Sequence, residues 1–182
     1  MTNENDSSYF HKFHGYEYEN DYCDRVCVKL LIYPGAMSPF EVSNLLGVQP
    51  TDHVAIGEER HTAMGHVRIG KVNGWFLSSE SFVKSTDMNC HIDWLTEKLK
   101  NCFQTFKQLQ ETDGVKMYVA CIWWVNVDGG GPILRPKQMR DLADLNLECA
   151  FDFQYYGIEE EGRIPGLIHQ LYEKDVIRNE IL

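Results

Sequence analysis

No stretch of this sequence is long and apolar enough to cross a bilayer as a helix. The longest apolar run, Met117-Tyr-Val-Ala-Cys-Ile-Trp-Trp-Val-Asn-Val127, falls short of the roughly 20 residues a span requires. The opening segment, Met1 to Ser8, has neither a basic cluster nor an apolar core, so a secretory leader is not expected and a cytoplasmic setting is. Positive charge is also scarce. Lys and Arg number 17 against 27 Asp and Glu, a net charge of −10. The deficit is concentrated in two places. Residues 1–24 hold six acids and one base, and residues 148–161 hold five acids and no base, so each is −5 and the rest sums to zero. Surfaces of that sign repel phosphate backbones, so nucleic acid is not an expected partner. A basic protein is.

Metal and disulfide patterns are missing as well. The six cysteines, Cys23, Cys27, Cys90, Cys102, Cys121 and Cys149, are scattered, and in a reducing compartment they are expected as thiols. Cys23 and Cys27, with His11 and His14 upstream, come nearest to a zinc set, but the spacing is loose and no second pair follows. Gly129-Gly-Gly131 follows a strand but lacks the Lys-Ser/Thr of a phosphate loop. No metal and no cofactor are expected. Catalytic candidates, Glu58 to His61 and the pair His91 and Asp93, have no spacing that a reaction demands. A non-enzymatic protein is therefore the expectation.

What is present is the pattern of a globular α+β domain. Hydrophobic residues make up 43% and charged ones 24%, enough for a real core. Residues 25–33 are a strand candidate that ends at Pro34-Gly35. Ser38-Pro39-x-Glu41 is a capping box with Pro at the first helical position, and Gly47 is a stop signal. Residues 48–73 read as a long polar excursion, with room for a hairpin, holding His53, Arg60, His61, His66, Arg68 and Lys71. Residues 74–80 form the next strand. Asp87 caps a long helix to about Glu111, with Ile92, Leu95, Leu99, Cys102 or Phe103, Phe106 and Leu109 at steps of three or four. Residues 117–127 are apolar at both parities, which predicts a central strand covered on both faces. Arg135-Pro136 opens a short helix with Met139, Leu142 and Ala143 inward. Residues 147–156 alternate, with Leu147, Cys149, Phe151, Phe153 and Tyr155 opposite Glu148, Asp152 and Gln154.

Two strand–helix–strand units are thus joined by the long helix. That internal duplication predicts a ferredoxin-like or related two-layer α+β sandwich, with a mixed or antiparallel sheet and helices on one face. Residues 25–156 form one domain. Residues 1–24 are an acidic, aromatic arm, and residues 157–182 a helical tail packed on the domain.

At Ser38-Pro39-x-x-Val42-x-x-Leu45-Leu46-Gly47-Val48-x-Pro50-Thr51, then Gly57, Gly74-Trp75, His91-Ile92-Asp93-Trp94-Leu95 and the Pro136 helix to Leu147, the chain resembles the bacterial domain of unknown function 4279 family. The resemblance implies a fold and no activity. Two functions follow as expectations. The first is an interaction protein, of the immunity or antitoxin kind, that captures a basic partner through Glu148, Asp152, Glu159, Glu160 and Glu161. The second is a small-ligand sensor using loop 48–73, with Arg60, His61, Arg68, Trp75 and His91 as contacts. An uncovered sheet face or edge would also allow a homodimer, with Trp75, Trp123, Trp124, Tyr155 and Tyr156 as aromatic surface.

Overall fold

The computed structural model describes residues 23–61, 65–125 and 131–155. The arm, except for its last two residues, and the 157–182 tail lie outside them. In chain order the elements are β1 (Cys23–Tyr33), α1 (Pro39–Leu46), β2 (Asp52–Val54), β3 (Glu59–His61), β4 (Val67–Ile69) and β5 (Gly74–Ser78). Then come α2 (Met88–Leu99), a 3-10 turn (Lys100–Cys102), α3 (Phe103–Gln110), β6 (Lys116–Val125), α4 (Pro136–Asp144) and β7 (Glu148–Tyr155). The architecture is α+β. A five-stranded mixed sheet has the order β2-β5-β1-β6-β7, and β3 and β4 make a separate hairpin. All neighbours in the large sheet are antiparallel except β6 and β7, which run parallel.

The helix layer lies on one face because β1 alternates. Val26, Val28, Leu30 and Ile32 point one way and are buried with Val42 and Leu46 of α1 and Ile92, Leu95 and Leu99 of α2. Burying each such side chain contributes about 1.5–3 kcal/mol, so this single layer holds most of the fold's apolar stabilisation. The α1 start is as the sequence predicts. Ser38 Oγ accepts from the Glu41 amide at 3.3 Å, Glu41 Oε2 accepts from the Ser38 amide at 2.8 Å, and Gly47 ends the helix at φ 65°.

Four expectations need correction. The helix over 87–111 is two helices joined by the 3-10 turn, which re-phases the stripe so that Cys102, Phe106 and Leu109 still face inward. The strand over 117–127 is not central, since β1 is, and the described helices cover only one of its faces. Tyr118, Ala120, Ile122 and Trp124 on the other face are half-buried by side chains of the sheet itself. In α4 the inward residues are Gln138 and Leu142, while Met139 and Ala143 are exposed. The helix is turned that way because Gln138 Nε2 donates to Asp93 Oδ1 of α2 at 2.8 Å and Asn89 Nδ2 donates to the Ile133 carbonyl at 2.8 Å. Finally, the two strand–helix–strand units share a plan but not a closure. The first ends on an antiparallel neighbour, β5, and the second on a parallel one, β7.

Candidate functional site

The face of the sheet away from the helices carries a continuous row of side chains. Register places Lys29 beside Ser78 and Ala120, Leu31 beside Phe76 and Tyr118, and Arg25 beside Trp124. At one end Tyr33 meets Phe76 edge-on, with centroids 5.7 Å apart, and stacks on Tyr118 at 6.4 Å. At the other end the Arg25 guanidinium lies 3.9 Å above the Trp124 ring and bonds Glu80 at 3.1 Å, while Lys29 reaches the same carboxylate at 3.6 Å. Cys27 sits under this group and is enclosed. Burial pushes its thiol up to about 11, against the opposing pull of Lys29. The row is therefore apolar and aromatic in its middle, with its own charges folded over it.

The β-bulge between Cys23 and Arg25 has a consequence for the cysteines. It puts Cys23 beside Val125 in the helix-side core, whereas Cys27, beside Ile122, is on the bare face. The two thiols closest in sequence thus face opposite sides and do not form a shared ligand pair. Cys121 and Cys149, from neighbouring strands, do meet, with sulfurs 3.6 Å apart. Their contact favours the Cys149 thiolate and, together with burial, raises Cys121. Among the described residues no three His, Cys, Asp or Glu side chains gather as a metal set.

The predicted ligand contacts do not come together. Trp75 and His91 are both 0% exposed. Trp75 Nε1 donates to Ser43 Oγ at 3.0 Å, which ties β5 to α1. His91 Nε2 donates to the Ser85 carbonyl at 2.8 Å, and Nδ1 meets Ser79 Oγ at 2.7 Å. Because a carbonyl only accepts, Nε2 carries a proton, and burial holds the ring below its usual pKa and so neutral. Both residues are structural pins closed to a ligand. A His beside an apolar helix face is usually a satisfied packing residue, and His91 is one. Arg60, His61 and Arg68 lie on the β3–β4 hairpin, where Arg60 and Arg68 are cross-strand partners. Arg60 is already held by Asp52 at 2.5 Å and by Glu58 at 4.0 Å, and the Asp52 hydrogen bond raises its pKa.

The predicted acidic contacts fare differently. Glu148 is exposed and Asp152 half-buried, both on the bare-face side of β7, abreast of Tyr118 and Ile122. Glu159, Glu160 and Glu161 lie outside the described residues. Of the aromatic candidates, Trp123 is in the core, its indole N–H without an acceptor among the described residues, and Trp124 faces outward. The Tyr155 side chain and Tyr156 lie outside the description. Sequence reading missed Arg25, Glu80, Tyr33, Phe76 and Tyr118 as members of one surface. Only the strand register assembles them.

One relationship in the sheet ties the charge pattern to the fold. Cys23, Val125 and Tyr155 stand abreast in β1, β6 and β7. Residues 1–22, net −4, therefore join the sheet at the end where the chain leaves it toward Glu159, Glu160 and Glu161, while Glu148 stands at the opposite end of β7. Two strand spacings, about 10 Å, separate the points of attachment.

No curated protein and no solved structure matches the chain significantly. A family model described as a domain of unknown function (DUF4279) matches residues 23–156, which are most of the chain and include every element of the sheet. The chain belongs to the DUF4279 family.

Proposed function

We propose that this protein is a cytoplasmic, non-enzymatic interaction module, of the immunity or antitoxin kind, that captures a basic protein partner. The observation that supports this most is the neighbouring attachment of two acidic stretches, residues 1–22 before Cys23 and residues 156–161 after Tyr155. Residues 1–22 carry a net −4 and residues 156–161 a net −3, and both attach to the sheet about 10 Å apart, which raises the local potential and steers a basic partner to that end of the sheet. The bare face beginning there supplies apolar contact area through Trp124, Ile122, Leu31 and Tyr118. Aromatic groups of this kind are enriched at protein interfaces.

The test is a pull-down from native extract with the full chain, at low and moderate salt. It is repeated with a variant whose acids in 1–24 and 148–161 are replaced by amides. The reading expects a basic protein that salt releases and the variant does not retain. Equal capture by the variant would sink it. A second reading, a small-anion sensor, draws on the cross-strand pair Arg60 and Arg68. The carboxylates already holding Arg60 count against it. It predicts phosphate binding that Arg60→Gln with Arg68→Gln removes, with the fold intact. Within the α+β class, we read the two-unit plan as a variation on the ferredoxin-like sandwich, in which the second unit closes in parallel.

A further inference from the structure

On the helix side of β7 the cover fails along the strand. Leu147 and Cys149 pack against the core, but Phe151 is 43% exposed and Phe153 is 56% exposed. Both belong to the buried parity. Phe151 lies abreast of Cys121 and Phe153 abreast of Trp123, two fully covered core residues. The Phe153 ring rests against Gly131 on one side, and none of the described helices covers the rest. Two large aromatic groups on the core side of an edge strand, open to water, need an occupant.

The chain itself offers one. It leaves β7 at Tyr155, two residues past Phe153, with 27 residues still to come. In those residues Pro165 is a helix-start signal, and Ile164, Leu167, Ile168 and Leu171 recur at helical spacing, followed by Tyr172 and Val176. The intervening residues 156–163, polar and containing Gly157 and Gly162, are long enough to turn the chain back over the strand. The preceding connection sets the precedent. From β6 the chain returns to parallel β7 through α4, and α4 packs on α2 in the helix layer. A chain leaving the same end of β7 meets the same layer one position further out.

We propose that residues 164–176 dock on the helix side of β7, with Leu167, Ile168 and Leu171 seated on Phe151 and Phe153. The tail thus completes the helix layer and is a different surface from the bare face that captures the partner. The proposal does not depend on the function proposed above.

Hydrogen exchange on the full chain tests it. Amides of 167–176 should be protected, independently of protein concentration. Leu167→Asp with Leu171→Asp should raise exchange in 167–176 and in 150–154 by about tenfold or more, with β1 unchanged. Phe151→Ser with Phe153→Ser should deprotect 167–176 to the same degree. Wild-type amides in 167–176 that exchange as fast as a free chain would overturn the proposal. So would protection that grows with concentration, because that assigns Phe151 and Phe153 to a second copy.

Discussion

The guanidinium of Arg25 lies 3.9 Å above the Trp124 ring and bonds Glu80 at 3.1 Å, so one charged side chain covers the largest apolar group on the bare face. Among the described residues no helix lies on this side of the sheet, yet the sheet does not present raw hydrocarbon there. Long charged side chains lie across it and are displaced more easily than a packed helix. A partner that supplied replacement charges would draw Arg25 and Lys29 off the apolar row beneath them.

Removing that cover should therefore cost little stability. Arg25→Ala is expected to lower the unfolding free energy by less than about 1 kcal/mol, since both the ion pair and the cation–π contact are half-exposed. Urea unfolding checks this. A loss of several kcal/mol would mean that Arg25 holds the core together rather than screening a docking face.

His91 makes the protein sensitive to acid. In the unfolded chain its imidazole protonates near its ordinary pKa of 6.5, but in the folded chain burial delays protonation to lower pH. Below pH 6.5 the unfolded state binds more protons, so stability falls as pH drops through that value and is independent of this group above it. His91→Gln should remove this component of the pH dependence. At neutral pH it should cost about 1–3 kcal/mol through the Ser85 carbonyl left without its donor, since Ser79 Oγ keeps its bonds to Val28. Denaturant titrations at several pH values separate the two effects.

The cap of α1 gives a smaller, local prediction. Ser38→Ala removes the acceptor for the Glu41 amide and should destabilise the protein by about 1 kcal/mol. The midpoint of chemical unfolding reports it.

Gly70 is the tightest position at the base of the hairpin. A Cβ there would stand 2.1 Å from the Ala55 carbonyl oxygen, an impossible contact with backbone. Gly70→Ala should therefore open the hairpin base, where Gly70 bonds Gly57 and Glu58. Faster hydrogen exchange across 52–70, with β1 and β6 unchanged, is the expected result. Loss of the whole fold would show that the hairpin is integral to the core.

Local signals in the sequence carried the local structure well. Ser38, Pro39, Glu41 and Gly47 mark α1 because capping chemistry acts over four residues, and Asp87 caps α2 for the same reason. The single-family assignment also follows from motifs in order. What could not be read were relations between distant residues. Nothing local shows that Arg25 will stand beside Trp124, or that β1 rather than β6 will be central, because pairing is decided by the whole sheet. The buried state of His91 depends on Ser79 and Ser85 arriving from another turn. In β7 the alternation holds, and the burial reverses only toward the strand's end. Gln154 is covered beside Trp124 while Phe153 is open, since exposure depends on what lies above each face.

On the function proposed above, a basic partner lands on the bare face, near the end where residues 1–22 and 156–161 attach. Photo-crosslinking in native extract tests it most directly. A photoreactive phenylalanine analogue is placed singly at Tyr118, Trp124, Phe82 or Met139. Salt-sensitive adducts with one basic protein are expected from Tyr118 and Trp124, and none from the exposed Phe82, which stacks on Trp94 of α2, or from the exposed Met139 of α4. Adducts only from Phe82 or Met139, or none from any position, would contradict it.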